Sequence, residues 1–314
     1  MSRQTYRLVT RSDFDGLVCG MLLREADILE SIKFVHPKDM QDGLVPITDR
    51  DIITNLPYVP GCHLAFDHHA SEVERAAGVV RTDHVIDAAA PSAARVVYDY
   101  YGGAAAFPNI RPDLLAAVDK ADSAQFSRDE ILDPQGWVLL NFLMDSRTGL
   151  GRFRDFRISN YDLMMQLIES CRTMPVEEVL ASPDVRERVD LYREHRERFR
   201  EQLLRCSRVH GRLVVLDLRD EEIIYAGNRF MIYALYPQCD VSVHVLWGLK
   251  QQNTVFAIGK SIIDRSSPVD VGQICLGYGG GGHEAAGTCQ VPNDAAGRVR
   301  NELIAALNPL RAAA

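Results

Sequence analysis

Residues 6–16 read Tyr6-Arg7-Leu8-Val9-Thr10-Arg11-Ser12-Asp13-Phe14-Asp15-Gly16. A short apolar run of strand character ends in a polar turn with two carboxylates, and a helical pattern follows over Leu17–Ala26. A strand, an acidic turn and a helix in that order open a parallel α/β sheet. Outward from this unit, Ile32–His36, Ile52–Asn55, His63–Phe66 and His84–Asp87 read as further strands, and Pro91–Tyr101 and Arg111–Ala121 as helices. The alternation predicts an α/β fold whose N-terminal sheet is mainly parallel, with helices on both faces. In such sheets ligands bind beyond the carboxyl ends of the strands. Arg11–Asp15, Asn55 and Asp67–His69 each follow a predicted strand, so they are expected to converge.

The chain has 314 residues, which favours two cores over one. Over Asp184–Cys206 the pattern becomes a long amphipathic helix, with Val185, Val189, Tyr192, Phe199 and Leu203 at helical spacing and Arg and Glu on the wet faces. New strands are predicted at Leu213–Asp217, Val241–Leu246 and Thr254–Gly259. The expected organisation is a first domain over 1–170, a helical linker over 171–208, and a smaller C-terminal α/β domain over 209–314.

A net charge of −8 disfavours a protein that coats long nucleic acids by nonspecific attraction. A local positive pocket for a small anion is compatible with it. The seven cysteines are scattered with no C-x-x-C pair, which fits reduced, buried thiols rather than a disulfide frame or a zinc knuckle. No apolar run reaches the length of a membrane span, and no signal-peptide pattern opens the chain. A soluble cytoplasmic protein without a membrane partner is therefore expected, and a homodimer is compatible with these features.

Two motifs carry chemistry. Asp13 and Asp15 flank Phe14 on irregular backbone, where both carboxylates can enter one pocket. They could equally be an N-cap and a solvated turn residue. Phe66-Asp67-His68-His69-Ala70-Ser71 follows a short apolar strand. Adjacent imidazoles there can ligate a metal and donate to a substrate oxygen, with Asp67 orienting one of them. Oxygen ligands suit hard divalent cations, and imidazole shifts the preference towards Mn²⁺, with Mg²⁺ or Co²⁺ as alternatives. The second motif, Leu276-Gly277-Tyr278-Gly279-Gly280-Gly281-Gly282-His283-Glu284-Ala285-Ala286-Gly287, sets backbone N–H groups free to approach an anion. The His-Glu-Ala-Ala run is expected to start a helix whose N-terminus adds to that attraction, with His283 donating to a phosphate oxygen.

These residues resemble the DHH phosphoesterase superfamily over most of the chain. The likeness rests on Asp67–His69, on the Asp13/Asp15 turn, on the acidic segment Val118-Asp119-Lys120-Ala121-Asp122-Ser123, and on the glycine run, which is similar to the family's DHH-associated domain. The resemblance implies a metal-dependent hydrolase of phosphoric esters that works between two domains. It implies that Asp122 closes the metal site, with Asp119 as the alternative. It also implies that Gly280, Gly281, Gly282 and His283 bind substrate phosphate, with Lys260 and Arg265 beside them and Asn228 and Arg229 as weaker candidates.

The chain departs from the family pattern at two places. Arg11 stands where members have a histidine, and Asn55 where they have a metal-bridging aspartate. Arginine has no lone pair to give a metal. Each exchange adds one positive charge, and together they equal one divalent ion. The expectation is a single ion held by Asp15, His68 and Asp122, with Asn55 in reach. Arg11 would then occupy or abut the first metal position and grip a phosphate oxygen, and Asp13 would orient Arg11 or bind a second ion. Arg11, Asp67, His69 and His283 are the expected catalytic groups. The leading function is a phosphodiesterase for short oligonucleotides or related nucleotides. An exopolyphosphatase-like phosphoanhydride hydrolase and a non-catalytic nucleotide-binding relative are the alternatives.

Overall fold

A computed structural model describes residues 4–76, 81–153 and 155–308. The elements run β1 (Tyr6–Thr10), α1 (Phe14–Glu25), β2 (Leu29–Phe34), α2 (Pro37–Gln41), β3 (Asp51–Thr54), β4 (Leu64–Asp67), α3 (Ala70–Ala76), β5 (His84–Ile86), α4 (Ala93–Tyr100) and α5 (Pro112–Asp122). They continue with α6 (Arg128–Leu132), α7 (Gly136–Met144), α8 (Asn160–Thr173), α9 (Val176–Ala181) and α10 (Pro183–Cys206). The last part holds β6 (Ser207–His210), β7 (Leu213–Asp217), α11 (Met231–Leu235), β8 (Val241–Trp247), β9 (Thr254–Lys260), α12 (Val271–Leu276), β10 (Gly281–His283), β11 (Ala286–Val291) and α13 (Ala296–Leu307).

The chain divides into two compact units. One comprises residues 1–125 and 134–191, the other 126–133 and 192–314. The division falls within α10, and the short segment carrying α6 groups with the later residues.

In the first unit the five strands are parallel in the order β2-β1-β3-β4-β5. Leu8, Val9, Ile52 and Ile53 are almost fully buried, as expected of central strands covered on both faces. Behind Leu8, α1 packs on α4, α5 and α8, and Gly20 lets Ile168 of α8 and Ile32 of β2 approach closely. On the other face Val9, Ile53 and Ala65 meet Met40, Val45, Leu56 and Cys62. Register aligns Thr10 with Thr54 and Thr54 with Phe66. The turns after β1, β3 and β4 therefore leave the sheet side by side. The order reverses between β1 and β3, which is where α/β sheets open a crevice for ligands.

The second unit is a mixed sheet in the order β10-β11-β9-β8-β7-β6, in which only β7 and β8 run parallel. Its core joins Val215, Val243, Val245, Phe256 and Ile258 to Val271 and Cys275 of α12 and to Val299 and Leu303 of α13. The glycine run departs from expectation here. It leads into β10, a two-residue turn and β11, not into a helix. The period-two pattern of β11 and its pairing with β9 outweigh the helical propensity of the alanines. Among the described residues, no helix is long and apolar enough to cross a membrane.

Candidate metal centre and glycine hairpin

Asp13 caps α1: its Oδ1 accepts from Gly16 N at 3.0 Å, so the helix starts at Phe14. Gly16 cannot be replaced, since a Cβ there would lie 2.1 Å from Arg11 O. The cap does not exhaust Asp13. Arg11 Nε lies 3.1 Å from its Oδ2, and Asn55 Nδ2 donates to Oδ1 at 3.2 Å. Asn55 holds a left-handed backbone (φ 54), tolerable for asparagine, that turns its side chain back onto the Asp13 turn. The two residues that depart from the family pattern thus meet on one carboxylate.

Asp15 is buried within the first turn of α1. Both its oxygens accept backbone N–H groups from the start of α4, Ala94 at 2.7 Å and Ala93 at 3.0 Å. Burial, then the charges of Asp122 and Asp13, hold its carboxyl well above the usual carboxylate range. Asp13 is also raised, by burial first, with Arg11 opposing. Arg11 and Arg147 offset only part of the crowding at Asp13.

His68 meets the same demand from the other side. Its Nδ1 lies 3.3 Å from Ala90 O, and its Nε2 lies 2.8 Å from Asp122 Oδ2. Donation from Nδ1 to Ala90 O makes Nε2 the nitrogen that meets the Asp122 carboxylate. Burial works against a charged ring, but Asp122, Asp15 and Asp67 outweigh it and push the pKa up to about 9. Ligand atoms of Asp15, His68 and Asp122 all lie within 4.8 Å of one another, and so do those of Asp67, His68 and His69.

Among the described residues, one buried oxygen at this centre, Asn55 Oδ1, has no hydrogen-bond partner. Buried acceptors without partners are costly. A divalent cation would offset the crowded carboxylates and take His68 Nε2 as a ligand in place of its proton, so the residues present fit such an ion. Asp67 is occupied differently. Its Oδ1 accepts from His68 N, His69 N and His69 Nδ1 at 2.7, 2.9 and 2.6 Å. That leaves Nε2 of the part-exposed His69 available for a proton.

Of the two acidic candidates on α5, Asp122 faces the centre. Asp119 instead accepts from Ser92 Oγ at 2.7 Å and pairs with Arg95. Sequence reasoning overlooked three contributors: the α4 amides that hold Asp15, the Ala90 carbonyl behind His68, and Arg147. The guanidinium of Arg147 opposes the rise at Asp13; burial works against its own charge, but Asp145, then Asp13 and Asp122, outweigh it. Backbone groups leave no mark in residue type, and Arg147 sits in an aperiodic turn after α7.

In the second unit Lys260, the glycine strand and His283 lie at one corner of the sheet. Ala286 pairs with both His283 and Gly259, and Lys260 Nζ bonds Glu284 Oε1 at 2.7 Å. His283 Nδ1 accepts from Ala285 N at 3.2 Å, so Nε2 carries the proton and can donate. Arg265 Nε donates to Ile262 O at 3.2 Å. Asn228 is buried and donates to Ile131 O at 2.7 Å, a structural role, while Arg229 covers the Phe230 ring.

No family profile matches the chain, and no curated protein does. Among solved structures, a pGpG-specific phosphodiesterase, PggH from Vibrio cholerae, is 60% identical, with a TM-score of 0.84 over 96% of this chain and 98% of that one. CDC45 from Entamoeba histolytica is 9% identical, covering 97% and 95% with a TM-score of 0.49. RecJ from Thermus thermophilus, in complex with Mn²⁺, is 13% identical, covering 97% and 52% with a TM-score of 0.45.

Proposed function

This chain belongs to the DHH phosphoesterase superfamily and is a metal-dependent phosphoesterase, and on that premise we propose that it hydrolyses the phosphodiester bond of 5′-phosphorylated dinucleotides such as pGpG in the cytoplasm. The observation that carries the reading is the cluster of Asp15, His68 and Asp122, whose ligand atoms lie within 4.8 Å of one another. The substrate class is supported by 60% identity, over nearly the whole chain, to an enzyme named for pGpG.

We assign one divalent ion, Mn²⁺ by ligand type, to Asp15, His68 and Asp122, with Asn55 Oδ1 beside it. When bound it supplies Lewis acidity and a water acidic enough to act as nucleophile near neutral pH. Arg11, oriented by Asp13, takes the position of a second cation and neutralises charge on the phosphate as the transition state forms. His69, with Asp67 behind its Nδ1, accepts a proton at Nε2 and returns it to the leaving oxygen. In the second unit the Gly280 N–H is already given to Cys275 O at 2.9 Å, so the backbone of Gly281 and Gly282 and the Nε2–H of His283 bind substrate phosphate, with Lys260 and Arg265 adding positive charge.

The deciding experiment combines metal analysis with turnover. Purified protein should hold one Mn²⁺ per chain and cleave pGpG to GMP, and the double variant Arg11→His/Asn55→Asp should hold two. Two tightly bound ions in the natural chain would refute the single-ion assignment. Cleavage of polyphosphate but not of pGpG would refute the substrate.

A further inference from the structure

Asp15 is held by a helix that carries none of the expected ligands. Each carboxylate oxygen has two lone pairs, and the first turn of α4 takes one on each, through Ala93 N at 3.0 Å and Ala94 N at 2.7 Å. These are two of the four N–H groups that a helix start leaves without an intrahelical acceptor. The next, Arg95 N, donates to the Ser92 hydroxyl oxygen at 3.0 Å, as in an ordinary cap. Three successive amides are thus divided between a cap residue and a ligand of the cluster.

Ser92 is fully buried, and its hydroxyl proton is committed as well. It donates to Asp119 Oδ1 at 2.7 Å, which leaves an oxygen lone pair for Arg95 N. Asp119 Oδ2 takes Arg95 Nε at 3.0 Å, so one carboxylate of α5 clasps both the cap and the third residue of α4. Three residues further along α5, Asp122 Oδ2 lies 2.8 Å from His68 Nε2. Helix α5 therefore carries one ligand of the cluster directly and fixes a second, Asp15, through Ser92 and the α4 amides.

Resting on the assignment of a divalent ion to Asp15, His68 and Asp122, we propose that Ser92 is a positioning residue of the metal centre. Its buried hydroxyl sets the start of α4 against α5, and thereby the rotation of the Asp15 carboxylate and its spacing from Asp122. The α4 amides leave one lone pair on each Asp15 oxygen for an ion. A carboxylate held in this way has little rotational freedom to lose when the ion arrives, and that raises affinity. Asp119 acts one step further away. Without it the bond from Arg95 N to the cap survives, whereas without the Ser92 oxygen both bonds go.

The test is an EPR titration of metal-free protein with Mn²⁺, read as the dissociation constant and as the spectrum of the bound ion. It compares the natural chain with Ser92→Ala, Ser92→Thr, Asp119→Ala and Val97→Ala. Loss of a group that orients a metal ligand weakens binding by about 10- to 100-fold. Ser92→Ala should fall in that range with an altered bound-ion spectrum, while one ion per chain is still taken up at saturating Mn²⁺. Asp119→Ala should show a smaller rise. Ser92→Thr keeps the hydroxyl and should recover most of the affinity. Val97, fully buried one turn beyond Ala93, supplies the control: Val97→Ala should lower the melting temperature and leave the dissociation constant unchanged. Natural Mn²⁺ affinity in Ser92→Ala overturns the proposal. So does an equal loss in Val97→Ala, because loosening of α4 would then suffice. A natural chain that takes up no Mn²⁺ sinks the metal assignment instead.

Discussion

The two candidate regions are built in opposite ways. The centre of the first unit is made of side chains held under tension: carboxylates crowded by burial, an imidazole aimed at one of them, and a buried amide oxygen without a donor among the described residues. The glycine hairpin of the second unit is made by leaving side chains out. Gly280 and Gly282 are dictated by packing, since a Cβ would lie 2.2 Å from Thr288 O and 2.3 Å from Ala286 O respectively. Gly281 is not: nothing lies within 4 Å of the Cβ it lacks. In the first region function shows as unmet electrostatic need, in the second as space the fold itself does not require.

The largest expected effect tests the first half of that contrast. Asp15→Ala or His68→Ala should lower pGpG turnover by roughly 10³-fold, as removal of a major transition-state stabiliser does. Metal analysis should show the ion lost as well. Asp119→Ala, on the same helix as Asp122, should keep the ion and lose stability, because Ser92 and Arg95 are left without their acceptor. If Asp119→Ala releases the metal and Asp15→Ala does not, the cluster has been assigned to the wrong carboxylates.

Much of the first region was legible because chemistry-bearing side chains follow strands, and parallel register then brings their turns together. Asp13, Asp15, Asn55 and Asp67–His69 needed only that rule. The choice between Asp119 and Asp122 needed more, since it turns on Ser92 and Arg95 facing one of them from α4. Arg147 was out of reach of pattern reading, as its relation to Asp122 depends on α7 packing on α5. The hairpin was misjudged at His283–Ala286 for a tertiary reason. Alanines favour a helix locally, but β9 and α12 provide a sheet edge and a packing surface that only a strand with few side chains can use.

A glycine-to-alanine series sharpens the second half of the contrast. Gly280→Ala and Gly282→Ala should each cost about 1–3 kcal/mol, the usual penalty for forcing atoms into packed space. Gly281→Ala should stay within about 0.5 kcal/mol of the natural chain. Its KM for pGpG should nevertheless rise about tenfold, if phosphate approaches the backbone where the new methyl would sit. Calorimetry with steady-state kinetics separates the two losses. A Gly281→Ala enzyme with unaltered KM would leave the hairpin a structural element only.

A further contrast concerns acid stability, which should also distinguish the two units. In the first, burial raises Asp51, but Arg7 and Thr48 outweigh it and hold its pKa below the usual value. The stability from that pair is present above about pH 4 and fades as pH falls through the depressed value. In the second, burial and then the nearby charge of Arg229 push His244 on β8 down to about 4. The unfolded chain takes up a proton near pH 6.5 that the folded unit refuses, so stability should decline as pH falls from about 6.5 to about 4, by on the order of 2–3 kcal/mol. The chain has two tryptophans, so Trp137→Phe leaves Trp247 as the fluorescent reporter of the second unit. Urea unfolding of that variant between pH 7.5 and 4.5 should show the slope, and adding His244→Gln should flatten it. An identical slope with His244 replaced would mean that acid acts on the second unit through its carboxylates, as it does on the first.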